Sequence, residues 1–251
     1  QALNAGSSDA LPYYPLEDAR LRFFGGTTAI WGGRSAVLDD IDLRSRRWVP
    51  ASGWPIGAAE LAGWYEQARQ VLELPEPGAT RALLDALGMD LPAFDERHLV
   101  LGLWQFDEPP GRFGIGNCGD IVRSTRIAVL THATATHLQA APEANRLRHV
   151  QVASITGRRA RIRAERFVLA AGGLENARLL LCSNDVFPAG VGNERGLVGR
   201  YFMEHPHARG GRIVTSEPLK LLQWFTGPRR VNGRRIAFCL RPGDWWQERH
   251  Q

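Results

Sequence analysis

The period of the apolar positions changes several times along the chain, and each change marks an element. Between 58 and 72 they fall at Leu61, Trp64, Tyr65, Ala68, Val71 and Leu72, the spacing of one helical face. ATRALLDALGM, residues 79–89, gives a second, shorter helix. IAVLTHATATHLQAA, residues 127–141, reads as a strand followed by a second extended run. HVQVASITGRRARI alternates on either side of Thr156-Gly157, the pattern of a hairpin. RFVLAA, residues 166–171, is apolar without alternation, which predicts a strand buried on both faces in a parallel sheet. GLENARLLLCS follows at once as a helix, and GRRIAFCLRP, residues 233–242, gives a late strand. Residues 1–19 are an irregular lead-in, 75–119 are loop-rich, and no internal repeat or low-complexity segment interrupts the chain.

Two stretches ask for a chemical account. RLRFFGGTTAIWGGR, residues 20–34, sets four glycines and two threonines between aromatics and arginines. Glycine is costly in a folded chain unless backbone must approach something closely or take positive φ. A Gly-Gly-Thr-Thr turn can offer N–H groups and two hydroxyls to an anion such as a pyrophosphate, with Trp31 beside it to pack on a flat ring. In FVLAAGGLENARLLL a strand ends in small residues and a helix begins, the way a doubly wound sheet brings a ligand to a strand's carboxyl end. Glu175 and Asn176 fall in the first turn of that helix, where a carboxylate suits the dipole or a cofactor hydroxyl. Each stretch, taken alone, is equally compatible with a tight turn that holds nothing. GIGNCG, residues 114–119, matches G-x-G-x-x-G in letters only, because turn-rich DEPPGRF precedes it instead of a strand.

Composition narrows the classes. With 44% hydrophobic and 23% charged residues the chain is an ordinary globular sequence, long enough for one large domain or two small ones. It has no apolar run long enough for a membrane span and no secretory-type leader in QALNAGSSDALPYYPLEDAR. The net charge is +5 and Lys220 is the single lysine, but the arginines are scattered among acids and accompany no nucleic-acid motif, so a nucleic-acid partner is not expected. Cys118, Cys182 and Cys239 are odd in number and far apart, the pattern of free thiols in a reducing compartment. The cytoplasm is therefore expected, with the periplasm as the alternative. His205 and His207 in MEHPH have no further ligands at metal spacing, so no metal site is expected. By residue type these two histidines are the weak candidates for a catalytic base.

RFFGGTTAIWGG, WVPASGWPI with WYEQA after it, VLTHATATHL, FVLAAGGLENARLLLCS and GLVGRYFMEHPH together resemble, in order, the glucose–methanol–choline family of FAD-dependent oxidoreductases. The resemblance runs over roughly residues 20–207 and points to the bacterial sugar- and alcohol-oxidising branch. It implies an α/β fold: a Rossmann-like, doubly wound FAD-binding domain (1–49 and 116–200) interleaved with a substrate domain (50–115, and 201–251 as its start). It implies oxidation of a CH–OH group of a sugar, polyol or other alcohol by hydride transfer to flavin N5, with oxygen, a quinone or a cytochrome as electron acceptor. It places Gly25, Gly26, Thr27, Thr28, Trp31, Gly32 and Gly33 along the flavin, Ala133 and Thr134 at the adenine, and Ala171, Gly172 and Asn176 near the adenosine side.

Ile30 stands where relatives with covalent FAD carry histidine, so FAD is expected to be held non-covalently. The family's G-x-G-x-x-G loop and its catalytic histidine segment have no counterpart in these 251 residues. The expectation is therefore an interior portion, incomplete at both ends, that alone neither binds FAD tightly nor turns over, its missing segments lying in a longer chain or on a second one. A non-catalytic scaffold chain and a flavoprotein-fold lyase are the alternatives.

Overall fold

The computed structural model describes residues 2–9, 13–74, 80–90, 94–108, 111–205, 212, 214–225, 227–231 and 233–250. Its strands are β1 (Arg34–Ser35), β2 (Leu99–Phe106), β3 (Thr134–Ala141), β4 (Ala144–Ala153), β5 (Arg159–Ile162), β6 (Arg229–Val231) and β7 (Arg234–Pro242). Its helices are α1 (Asp40–Leu43), α2 (Ala58–Val71), α3 (Thr80–Ala86), α4 (Gly119–Arg123), α5 (Gly173–Cys182), α6 (Pro218–Phe225) and α7 (Asp244–Arg249). The chain divides into two units, one of Gln1–Gly119 with Arg212–Gln251 and one of Asp120–Gly211.

The first unit is built on an antiparallel sheet in the order β1-β2-β7-β6. Alternation along β2 and β7 sends Leu101, Leu103, Ile236 and Phe238 to one face, where Leu84, Trp224 and Val231 complete a core. Trp224 meets Phe238 edge-on, with ring centroids 5.2 Å apart. The opposite face carries Trp104 and Phe106, with Arg34 in register across from Phe106. Helix α2 forms where the spacing predicts it, yet none of its residues is buried and Trp64 is 64% exposed. Helical periodicity identified the element there without identifying anything that covers its apolar stripe.

The second unit is a three-stranded antiparallel sheet, β3-β4-β5, with α5 packed on one face. Leu138, Val150, Val152 and Leu179 form its core. The hairpin at Thr156-Gly157 forms as expected, Ser154 N–H bonding the Arg158 carbonyl at 2.9 Å. Ser183 closes the end of α5. Its hydroxyl accepts from Leu138 N–H at 2.9 Å and donates to the Leu179 carbonyl at 2.7 Å, tying the helix to β3.

Three expectations need correction. Both sheets are antiparallel, and the described residues form no doubly wound parallel sheet. RFVLAA is not a strand: Phe167 and Leu169 pack against the core, while Val168 is 88% exposed. The first half of IAVLTHATATHLQAA is likewise unpaired, with Leu130 63% exposed, and only its second half becomes β3. The reason is common to both runs. A central strand exists only when neighbours on both sides supply its ladder, and among the described residues neither run has one.

Candidate functional site

In the first unit the glycine-rich stretch closes on a second loop. Gly25 takes φ +85° ahead of the short 3-10 helix Gly26–Ala29, and a Cβ there would lie 2.1 Å from the Phe113 carbonyl oxygen. Gly33, at φ +70°, would place a Cβ 2.1 Å from the Asp107 carbonyl oxygen, and its own carbonyl accepts the Asp107 N–H at 2.8 Å. These two glycines exist because the backbone at Phe113 and at Asp107 comes too close for any side chain. Both threonine hydroxyls also serve the turn: Thr27 accepts from Leu21 N–H at 3.2 Å and Thr28 donates to the Gly25 carbonyl at 2.6 Å. Trp31 tilts against Phe113, centroids 6.4 Å apart. Gly32 differs. It is exposed, and a Cβ there would meet nothing within 4 Å. Ile30 beside it is 66% exposed.

The loop that meets this stretch is held by a buried ion pair that sequence reasoning passed over. Arg112 Nε donates to Asp107 Oδ1 at 2.7 Å, and the Asp107 side chain has no exposed surface. The same guanidinium reaches Glu73 Oε1 at 3.3 Å and the Leu72 carbonyl at 3.4 Å, joining the end of α2 to the end of β2. Asp107 Oδ2 is buried without a partner. Removing Arg112 would leave this buried side chain without its one close partner, a costly loss. In the sequence the only trace is an acid and an arginine flanking Pro-Pro-Gly, which nothing distinguishes from a solvated turn. The GIGNCG segment is part of this loop: Gly114 N–H bonds the Gly111 carbonyl at 2.7 Å, and β2 ends at Phe106, well before it.

The second unit carries the remaining sequence-derived positions. Ala133 packs beside the core and Thr134 opens β3 opposite Ala153. Gly172 is the N-cap of α5, and Cβ atoms at Gly172 and Gly173 would meet nothing within 4 Å. Asn176 organises this corner: its Oδ1 accepts the Ala171 N–H at 2.9 Å and its Nδ2 donates to the Leu169 carbonyl at 3.1 Å. Glu175 is turned inward and pairs with Arg178 at 2.8 Å. His205 is a surface residue, its side chain 98% exposed with Glu204 Oε1 3.6 Å away, and His207 lies outside the described residues.

The sheet face away from α5 holds a polar group that the sequence did not single out. His137 Nε2 lies 2.9 Å from Asp185 Oδ1, and Gln139 donates to Asp185 Oδ2 at 2.5 Å. Burial opposes ionisation of Asp185, but these two bonds outweigh it and hold the carboxyl below its ordinary value. His149, in register with Gln139, has its pKa lowered by burial first and then by Arg161, Arg163, His137 and Arg148. Among the described residues no three His, Cys, Asp or Glu side chains converge as a metal site, and no helix is long and apolar enough to cross a membrane.

No family model matches the chain. Over 70% of its length it is 31% identical to paromamine 6'-oxidase of Streptomyces fradiae. Over 60 residues, 24% of its length, it is 43% identical to the fructose dehydrogenase large subunit of Gluconobacter japonicus. The matches span 39% of the first relative and 11% of the second, so the chain corresponds to less than half of either. The similarity is therefore to oxidoreductases, both named for sugar-like substrates.

Proposed function

We propose that the chain forms part of a glucose–methanol–choline-type, FAD-dependent oxidoreductase that oxidises a CH–OH group of a sugar, polyol or other alcohol. The observation that carries this reading is the run of family segments in order over residues 20–207, coupled to similarity with two oxidoreductases of sugar-like substrates. The residues present fit such a cofactor at two places. Gly32, and Gly172 with Gly173, leave open space where a Cβ would stand, which suits a flat ring or a phosphate against bare backbone. FAD, when bound, supplies the hydride acceptor at its N5.

Within that reading Gly25 and Gly33 fix the shape of the loop, while Gly26, Thr27, Thr28, Trp31 and Gly32 border the flavin. Ala133 and Thr134 border the adenine, and Asn176 holds Ala171 and Gly172 in place for the adenosine side. Residues 1–49 and 116–200 would form the FAD side, and 50–115 with 201–251 the substrate side. His205 has no orienting partner beyond its own neighbour among the described residues, so no proton-transfer role is assigned to it. Electrons would pass to oxygen, a quinone or a cytochrome. The relative named as a large subunit favours a further chain beside this one. A cytoplasmic location, with the periplasm as alternative, rests on the three free thiols.

The purified native protein is expected to show flavin absorption bands that a sugar or polyol bleaches anaerobically. Acid precipitation should release the flavin into solution, because Ile30 offers no attachment point. A protein that takes up no FAD, or whose flavin is bleached by no alcohol in the panel, overturns the reading.

A further inference from the structure

One face of the β1-β2-β7-β6 sheet is covered by the Leu84–Trp224 core; the other presents two cations that no acid answers. Arg34 on β1 stands in register with Phe106 on β2. Its guanidinium carbon lies 4.2 Å over the Trp104 ring and 5.9 Å from the Phe106 ring. Arg235 on β7 reaches that same Phe106 ring from the other side of β2, at 4.8 Å. Trp104 and Phe106 are two residues apart and so share the face, and Phe106 is 6% exposed, a fixed platform.

Neither guanidinium forms an ion pair with a carboxylate among the described residues. Glu108 feels the charge of Arg235 but is already engaged. Its Oε2 lies 2.9 Å from Arg230 Nη2, and its Oε1 takes the backbone N–H of Arg235 at 2.7 Å. Two further cations share this face and are closed: Arg230, in register with Arg235, by Glu108, and Arg241 by Asp39. A guanidinium laid on an aromatic ring keeps its in-plane N–H donors pointing outward, and the ring holds it still, so less side-chain freedom is lost when a ligand arrives. Phe106 is common to both contacts, so the two groups belong to one patch of this face.

We propose that Arg34 and Arg235 form an oxyanion-binding site on this face, taking the carboxylate or phosphate of a small molecule between them. Two sources fit the chemistry: the carboxylate of a sugar acid and the phosphate of a nucleotide. The site is independent of the oxidoreductase reading, since it rests only on residues of the first unit.

The test titrates the full chain with inorganic pyrophosphate and, separately, with glucuronate, read by calorimetry and tryptophan fluorescence. At least one anion should bind saturably. Arg34→Gln and Arg235→Gln should each weaken it about tenfold or more, the loss expected for one charge-assisted hydrogen-bonding partner. Arg230→Gln, whose charge Glu108 already meets, should change it by less than about twofold. Arg34→Lys keeps the charge without the planar fork and should fall between. Arg34 is exposed, so its variants should keep the circular dichroism and thermal midpoint of the unsubstituted chain. Binding of pyrophosphate alone assigns the site to a nucleotide, and binding of glucuronate alone to a sugar acid. Saturable binding of neither anion overturns the proposal. So does unaltered binding by both glutamine variants, or an equal loss in Arg230→Gln.

Discussion

Glycine has two separate uses within residues 20–34, and substitution distinguishes them. Gly25→Ala and Gly33→Ala each force a side chain into positive φ and onto a carbonyl oxygen 2.1 Å away. Each should cost more than about 2 kcal/mol of stability in urea denaturation. Gly32→Ala meets open space and should stay within about 0.5 kcal/mol. If Gly32 borders the flavin, the same substitution should lower FAD affinity in the native protein while leaving the denaturation curve in place. A Gly32→Ala protein that binds FAD normally removes this residue from the cofactor surface.

At the scale of elements, the polar face of β3-β4-β5 predicts a pH dependence. The pKa of His149 is lowered from its ordinary value near 6.5, by burial and by the cations around it, and its Nε2 is buried without a partner. As pH falls the unfolded chain therefore takes up this proton before the folded one does. The unit is fully stable with respect to this group above about pH 6.5 and loses stability as pH drops below it toward the lowered value. His149→Gln should flatten the thermal midpoint across that window; a midpoint that rises on acidification would contradict the burial. The unpaired run at 166–171 gives a second test. Val168→Asp, at an 88% exposed position, should leave the stability of the isolated chain within about 0.5 kcal/mol. Several elements were legible from their pattern alone: α2, α3, the hairpin at Thr156-Gly157, α5 and β7 all appear where periodicity put them, β7 although its partner β2 lies far away in the chain. What failed were the apolar runs at 127–132 and 166–171, because a period reveals that a strand is apolar but not whether neighbours exist to pair with it. The Asp107–Arg112 pair and the Arg34–Phe106–Arg235 row were illegible for a related reason. Both join residues brought together only by the closing of the first unit's loops and sheet.

At the scale of the whole molecule, the two units differ in how they draw on the sequence. β3, β4 and β5 succeed one another along the chain and pair in that order. The sheet of the first unit instead pairs β2 with β7, Gln105 opposite Ile236, with the entire second unit encoded between them. Contacts between sequence neighbours form early and distant ones late. On a translating ribosome the Asp120–Gly211 unit can therefore close as soon as it emerges, while β2 waits for β7 for on the order of ten seconds. Through that interval Leu101, Leu103, Trp104 and Phe106 belong to a strand without its central partner, a template for pairing with other chains. A chaperone that holds extended apolar segments should find this nascent chain at β2, and a chain arrested before Arg234 should present a finished second unit beside an unformed first.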